Sequence, residues 1–305
     1  MDKLLINFSK NINIKKIGFA KIIKLEKNTN ELIKWINNGY VGNMNFLTNN
    51  IDKRKNPKLL LKNAKTIITI AEPYPNNIQY NSKLKIAKYA TIEDYHIRIY
   101  NKLLKLSNFI KENFNKTSYI SVDTNPVFEK EWAVQCGIGW QGKNSLIISE
   151  EFGSYFNIGI LITDLECNIK ENKKIENKCG NCNLCIKNCP TNAIVSDKII
   201  NATKCISYLT NETKLKDEIL EKKEIAKTGY ILGCDICQDV CPYNKKIQKN
   251  ISCQSNIDEN IKEVLYNTNT ILSMSNKTFE KKFEKYTLKR LRLNRLKRNI
   301  NIINN

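Results

Sequence analysis

Histidine is nearly absent from this chain, with 1 in 305 residues. That excludes any multi-histidine metal site. Proline is scarce, at 6, and no stretch approaches the ~18 consecutive apolar residues that a membrane span needs. From Met1 through Leu5 and beyond there is neither an apolar h-region nor a twin arginine, so no export signal is expected. Acidic residues are few beside basic ones. The 30 Asp plus Glu face 50 Lys plus Arg, for a net charge of +20 and a pI near 9.4. Such an excess suits a polyanionic partner, most often nucleic acid. Richness in Lys, Asn and Ile is also what an AT-rich genome favours, and the charge alone leaves both readings open.

What the chain has in quantity is cysteine, 11 in all. Without an export signal, they point to metal or catalysis rather than disulfides. Nine of the 11 lie between residues 166 and 245. Cys179, Cys182, Cys185 and Cys189, followed by Pro190, have the C-x2-C-x2-C-x3-C-P spacing of bacterial two-cluster ferredoxins. Three thiolates on one tight loop reach three irons of one cubane. The fourth is carried by the turn towards the other cubane, and Pro190 fixes that exit. Cys234, Cys237 and Cys241 with Pro242 repeat the last three positions. Ile231 stands where the first cysteine of that repeat belongs and cannot ligate iron. Cys205, between the motifs, fills the gap.

Counting ligands gives a crossed arrangement of two [4Fe–4S] clusters. One takes Cys179, Cys182, Cys185 and Cys241; the other takes Cys189, Cys205, Cys234 and Cys237. Cys136, Cys167 and Cys253 remain over and suit small apolar fillers. A pair of zinc sites is the alternative, since zinc also uses C-x2-C pairs.

Before this module, apolar patterns alternate between helix and strand. Asn30 to Asn37, Tyr95 to Phe114 and Val127 to Gln135 have helical spacing. Thr66 to Ile70, Tyr119 to Val122, Ser145 to Ile148 and Phe156 to Thr163 read as strands. An α/β layer fold follows. Gly137, Gly139 and Gly142 match G-x-G-x-x-G, but a helix precedes and a strand follows them, the reverse of a dinucleotide site. Asp123 ends a strand and opens a turn, as either a helix cap or a general acid. His96 is either a pocket proton donor or a structural hydrogen-bonding group. Arg54 either grips an anion or is a solvated charge at a helix start.

Together these pieces resemble the epoxyqueuosine reductase family, cobalamin-dependent iron–sulfur enzymes. The resemblance rests on Arg54 to Leu61, Asp94-Tyr95-His96, Val122 to Glu129, Gly137 to Asn144 and Phe152-Gly153-Ser154. It continues through both cysteine motifs, Cys205 to Thr210, and Arg298-Asn299. It implies an α/β (α+β) cobalamin-binding catalytic domain over 1–165 and a ferredoxin-like module with two [4Fe–4S] clusters over 166–245. A basic helical tRNA-binding tail over 246–305 would follow. The implied reaction reduces epoxyqueuosine to queuosine at the wobble position of tRNA. The clusters pass electrons singly to cobalamin, reduced cobalt attacks the substrate, and Asp123 protonates the epoxide oxygen.

Cobalamin contacts carry over to Arg54, Asp123, main chain near Ile147 and Ile158, and Ser207. Lys214, Arg295 and Arg298 are the candidate tRNA contacts. The implied partners are tRNAs with a GUN anticodon, for aspartate, asparagine, histidine and tyrosine, and an unidentified electron donor. The implied enzyme is a cytoplasmic monomer. No Asp-x-His-x-x-Gly motif places a histidine on cobalt. Asn125 replaces the alanine common in relatives, next to the expected acid, and a helical-repeat extension after Asn305 is not expected. Two rival readings are a reductive dehalogenase, for which an export signal would be expected, and a two-cluster electron-transfer subunit.

Overall fold

A computed structural model describes residues 2–167, 175–213, 219–247 and 257–304. Lys214 and Cys253 lie outside them. The centre is a four-stranded, wholly antiparallel sheet. Its strands are β1 (Lys16–Lys21), β2 (Thr66–Pro73), β3 (Ser118–Ser121) and β4 (Phe156–Thr163), in the order β1-β2-β4-β3.

Every residue of β2 is buried, because the sheet is covered on both faces. Alternation sorts its side chains. Ile68 and Ile70 face the long helix α1 (Tyr95–Phe114), which presents Ile99, Leu103, Leu106 and Ile110 at helical spacing. Ile67 and Ala71 face the short helix α2 (Glu129–Gln135), through Trp132 and Ala133. Strand alternation with helical spacing on either side therefore yields the expected layers. The sheet is antiparallel, so no βαβ crossover orders it.

The expected fillers sit in these layers. Cys136 is 2 % exposed, takes a hydrogen bond from the Thr69 hydroxyl at 3.1 Å, and is pushed up to about 12 by burial. Cys167 is buried on the other face and pushed up to about 11, again by burial.

A second apolar core joins all three expected regions. It contains Ile86 and Ala90 from the N-terminal region, Leu209 and Ile231 from the cysteine module, and Leu296 and Ile300 from the C-terminal helices. Tyr230–Leu232 pairs in parallel with Lys85–Ile86. Ile231, the non-ligating position, is thus a buried strand residue. Its carbonyl accepts from Asn299 at 2.8 Å. The C-terminal region is integrated into this core rather than hanging free.

A buried polar seam fixes the module to the sheet domain. Lys88, 5 % exposed, pairs with Asp239 and donates to the Tyr155 hydroxyl at 3.1 Å. Its backbone N–H donates to Asp235 at 2.7 Å. Asn244 accepts from the Ser154 N–H at 2.7 Å and donates to its hydroxyl at 2.9 Å. At Gly153, where φ is +58°, a Cβ would collide with Asn244 Oδ1. Glycine is the residue that permits both this backbone and this contact.

Removing one partner of a fully buried ion pair costs about 3–5 kcal/mol. Asp239 is 41 % exposed, which reduces that figure. Lys88→Met is expected to lower stability by about 2 kcal/mol, read as a drop in the chemical-denaturation midpoint. An unchanged midpoint would mean the seam is held by its neutral hydrogen bonds alone.

Candidate active site

Two cavities meet at Asp123 and Tyr95. The larger, about 450 Å³, is lined on one side by His96, Asp123 and Tyr95. The smaller, about 180 Å³, is lined by Glu129, Lys130, Ile147, Asn157 and Ile158 as well as Asp123. Asp123, Ile147 and Ile158, drawn from separate stretches of sequence, are therefore brought together. Arg54 and Ser207 line neither cavity. Arg54 is buried and donates to the Phe46 carbonyl at 3.2 Å, while its Nε has no partner. Ser207 lies just after Cys205 and gives its N–H to that sulfur.

Asp123 follows β3 by two residues and has φ of +60°, a left-handed conformation that non-glycine residues avoid. Three contacts hold it. Its N–H donates to Glu129 Oε1 at 2.7 Å, its Oδ2 lies 3.3 Å from His96 Nε2, and Asn125 Nδ2 closes the turn onto the Ile120 carbonyl at 2.9 Å. Asn125 thus builds the turn rather than occupying the cavity.

His96 Nδ1 lies 2.6 Å from Asp94 Oδ1, and Arg290 Nε donates to Asp94 Oδ2 at 3.1 Å. Asp94 also caps α1 by accepting from the His96 N–H at 2.9 Å. The result is a chain running Arg290–Asp94–His96–Asp123. Asp123's carboxylate is 60 % accessible and opens onto the larger cavity.

Charges follow from this geometry. Burial alone would raise the Asp123 carboxyl, but the hydrogen bond and charge of His96, with Tyr95 and Arg290, hold it below the usual carboxylate range. Burial would lower His96, but its bonds to Asp123 and Asp94 raise it overall. The proton of the pair therefore rests on His96. Glu129 behaves oppositely. Burial, then the Asp123 charge, push it up to about 8, so it is largely neutral at pH 7. Lys130 is lowered by burial despite the nearby carboxylates.

Electrostatic neighbours link several of the eight cysteines. Cys185 and Cys241 each have Cys179 and Cys182 as neighbours. Cys234 has Cys205 and Cys189, while Cys237 has Cys234 and Cys205 and also Cys185, which ligand counting gives to the other cluster. Burial raises the thiols of Cys185, Cys205, Cys234, Cys237 and Cys241, and a cationic metal core would favour their ionised form. Among the described residues no three such groups converge closely enough for one ion. Cubane thiolates stand on separate irons and need not converge, so the donor set fits two clusters.

The smaller cavity also fits a corrin's rim of amide groups. Asn157 Nδ2 is buried there without a partner, and Lys130 makes no hydrogen bond among the described residues. Both are donors suited to amide carbonyls.

Comparisons now bear on this geometry. A family model described as epoxyqueuosine reductase QueG, DUF1730, matches residues 54–124, and one described as 4Fe-4S double cluster binding domain matches 178–244. The epoxyqueuosine reductase of Cyclobacterium marinum is 37 % identical over 94 % of this chain and 92 % of that protein. That of Cellulophaga algicola is 36 % identical over 94 % and 92 %. The chain belongs to the epoxyqueuosine reductase family.

Solved members agree in fold. The Streptococcus thermophilus epoxyqueuosine reductase superposes with a TM-score of 0.88 at 33 % identity, over 99 % of this chain and 80 % of that one. A second member, crystallised with an epoxyqueuosine-modified tyrosine tRNA stem loop, gives 0.87 at 29 % over the same shares. Family membership carries cobalamin and two [4Fe–4S] clusters as cofactors.

Several site residues escaped the sequence reading. Glu129 lay inside a quoted motif but signalled only a helix start. Lys130, Asn157 and Arg290 are ordinary polar residues whose place on a cavity wall depends on folding. Arg295 and Arg298, expected at tRNA, donate to main-chain carbonyls at the end of helix α3 (Ile206–Asn211). Arg295 reaches the Asn211 carbonyl, and Arg298 reaches Leu209 at 3.0 Å and Thr213 at 2.8 Å. In the structure both clamp the C-terminal helices to α3.

As the sole histidine, His96 gives one imidazole signal in NMR. Its titration midpoint is expected above about 6.5, and Asp123→Asn should lower it. The pair's stabilisation is complete between about pH 4 and about pH 6.5; it is lost as pH rises through the raised His96 midpoint or falls through the depressed Asp123 one. A wild-type midpoint at or below the ordinary value would dissolve the pair.

Proposed function

We propose that this chain reduces the epoxide of epoxyqueuosine to the alkene of queuosine at the wobble position of tRNA. The observation that carries this is the Asp123–His96 pair, placed where the two cavities meet beside the cysteine module. The overall change consumes two electrons and two protons and releases the epoxide oxygen as water. When bound, cobalamin supplies a reduced cobalt nucleophile and the clusters supply electrons one at a time.

The protein's own groups manage the proton and the geometry. Asp123 delivers the proton at the epoxide oxygen, and His96 holds that proton in the resting state and recharges Asp123. Glu129, accepting from the Asp123 N–H, keeps the acid aimed into the cavity. Ile147, Ile158, Lys130 and Asn157 would hold cobalamin when it is bound, and Arg54 and Ser207 would contribute contacts to it. Cys179, Cys182, Cys185 and Cys241 hold one cluster, and Cys189, Cys205, Cys234 and Cys237 the other.

The wider reading is a cytoplasmic monomer acting on tRNAs with a GUN anticodon, supplied by a separate electron donor. Lys214 contacts substrate phosphates, with any donors of Arg295 and Arg298 not bound to carbonyls. No described helix is long and apolar enough to cross a membrane. The dehalogenase and electron-carrier alternatives find no support in the family to which the chain belongs.

Anaerobic incubation with cobalamin, a one-electron reductant and an epoxyqueuosine stem loop should give a nucleoside lighter by one oxygen. No conversion by protein with full iron content would defeat the reading. Asp123→Asn should keep iron and cobalamin yet slow turnover at least ~10²-fold; full activity would remove Asp123 from the acid role. Cys205→Ser should cut iron from about eight to about four atoms per chain, whereas Cys136→Ala should leave it unchanged. Undiminished iron in Cys205→Ser would refute the crossed ligand set.

A further inference from the structure

The chain has 3 tryptophans, and an indole N–H is a donor with no acceptor role. Buried, it needs a partner. Trp35 has one, donating to the Ile200 carbonyl at 2.6 Å. Trp132 and Trp140 are 0 % and 1 % exposed, and neither Nε1 has a partner among the described residues. Their surroundings differ. Trp132 packs with Ala133, Cys136 and Ile138 in a core that contains none of the expected cluster ligands. Trp140 shares a small apolar core with Ile148, Cys241 and Cys179, and both cysteines belong to the same crossed ligand set.

The indole is held from two sides. Trp140–Gln141 pairs with Ile147–Ile148 in a two-stranded ribbon. Gly139 permits that ribbon, because a Cβ there would collide with the Ile148 carbonyl. One glycine of the G-x-G-x-x-G match is thereby explained without a dinucleotide. Tyr243 meets the indole edge to face, with ring centroids 4.8 Å apart. This tyrosine follows Cys241 and Pro242, and its hydroxyl donates at 3.2 Å to the carbonyl of Lys178, the residue before Cys179. The segments carrying Cys179 and Cys241 are thus tied together beside the indole whose N–H is unmet. A cluster on these cysteines brings thiolates and bridging sulfides, which are anionic acceptors. Hydrogen bonds to such sulfurs help to set a cluster's potential. Reduction adds negative charge, so an N–H donated to sulfur stabilises the reduced form more than the oxidised one, and the potential rises.

We propose that the Trp140 N–H donates to a sulfur of the cluster held by Cys179, Cys182, Cys185 and Cys241 and raises that cluster's potential. This rests on the crossed ligand set above. The loop carrying most of that set is exposed at Gly180, Asn181 and Leu184, while Asp235 and Gln238, beside ligands of the other set, are buried. The tuned cluster is therefore the one an external donor reaches first, and a higher potential there favours taking up each electron. Trp140 acts on the potential and touches no substrate.

The test is an anaerobic redox titration of holoprotein followed by EPR, with iron counted first. Wild-type protein should give two reduction midpoints from about eight irons per chain. Trp140→Phe keeps an aromatic ring and removes the N–H. It should lower one midpoint by about 59 mV, a tenfold change in a one-electron equilibrium, and leave the other in place. Trp132→Phe should move neither. Unmoved midpoints in Trp140→Phe with full iron overturn the hydrogen bond, and so does an equal shift in both variants. Should Trp140→Phe lose iron, wild-type protein labelled at the indole nitrogens decides. Pulsed EPR of its reduced clusters should show a nitrogen coupling that Trp132→Phe and Trp35→Phe both keep, and absence of that coupling overturns the proposal. Conversion of an epoxyqueuosine loop is scored separately. Unmoved midpoints with intact conversion remove the hydrogen bond and leave the reaction standing; a lowered midpoint without conversion in the wild type does the reverse.

Discussion

The structure depends on one buried polar seam between the sheet domain and the cysteine module. Lys88 sits between Asp235, Asp239 and Tyr155, while Asn244 locks onto Ser154. The partners on the module side lie among Cys234, Cys237 and Cys241 and just beyond them. The loop that carries the cluster ligands is therefore the loop that docks against the cavity domain. Electron transfer needs a fixed separation between redox groups, and apolar contact alone can slide. Hydrogen-bonded charges in a dry seam cannot, because any shift leaves one of them unpaired in a low dielectric. Asp235 shows the tension: burial pushes its carboxyl up to about 6, and the Lys88 ammonium and N–H oppose that rise.

The catalytic corner shows a related economy of strain. Asp123 adopts a left-handed conformation that costs on the order of 1 kcal/mol. Its N–H and its carboxylate are each held by a group with a displaced pKa. Glu129 is raised towards neutrality and His96 is raised towards the cation. Two carboxyl groups this close cannot both ionise freely. Asp123 takes the charge because His96 faces it, and Glu129 acts as a neutral acceptor beneath. Asp123 and His96 thus face each other as an ion pair, with the shared proton favouring the imidazole.

Legibility in the sequence followed the range of the forces involved. Helix α1 and strand β4 were legible to the residue, because spacing is local. The double-cluster module was legible because its cysteines come at fixed intervals, and Ile231, among them, is a buried strand residue. Asp123 and His96 were each visible but ambiguous. Sequence could not show that the two lie 3.3 Å apart, because they sit on separate elements. For Arg295 and Arg298 the sequence showed charge and not the neighbours that hold part of it. Their carbonyl partners lie more than 80 residues earlier in the chain. Asn157 carried no signal, since its place on a cavity wall depends on folding.

Gly153 closes the account at the level of the genetic code. Its backbone conformation and its contact with Asn244 bar every side chain. All glycine codons begin with two guanines. The chain's wealth of Lys, Asn and Ile is what a bias towards adenine and thymine favours, and glycine numbers only 11 residues. At position 153 that bias meets a steric wall: most single-base changes at the first two codon positions add a Cβ where Asn244 already stands.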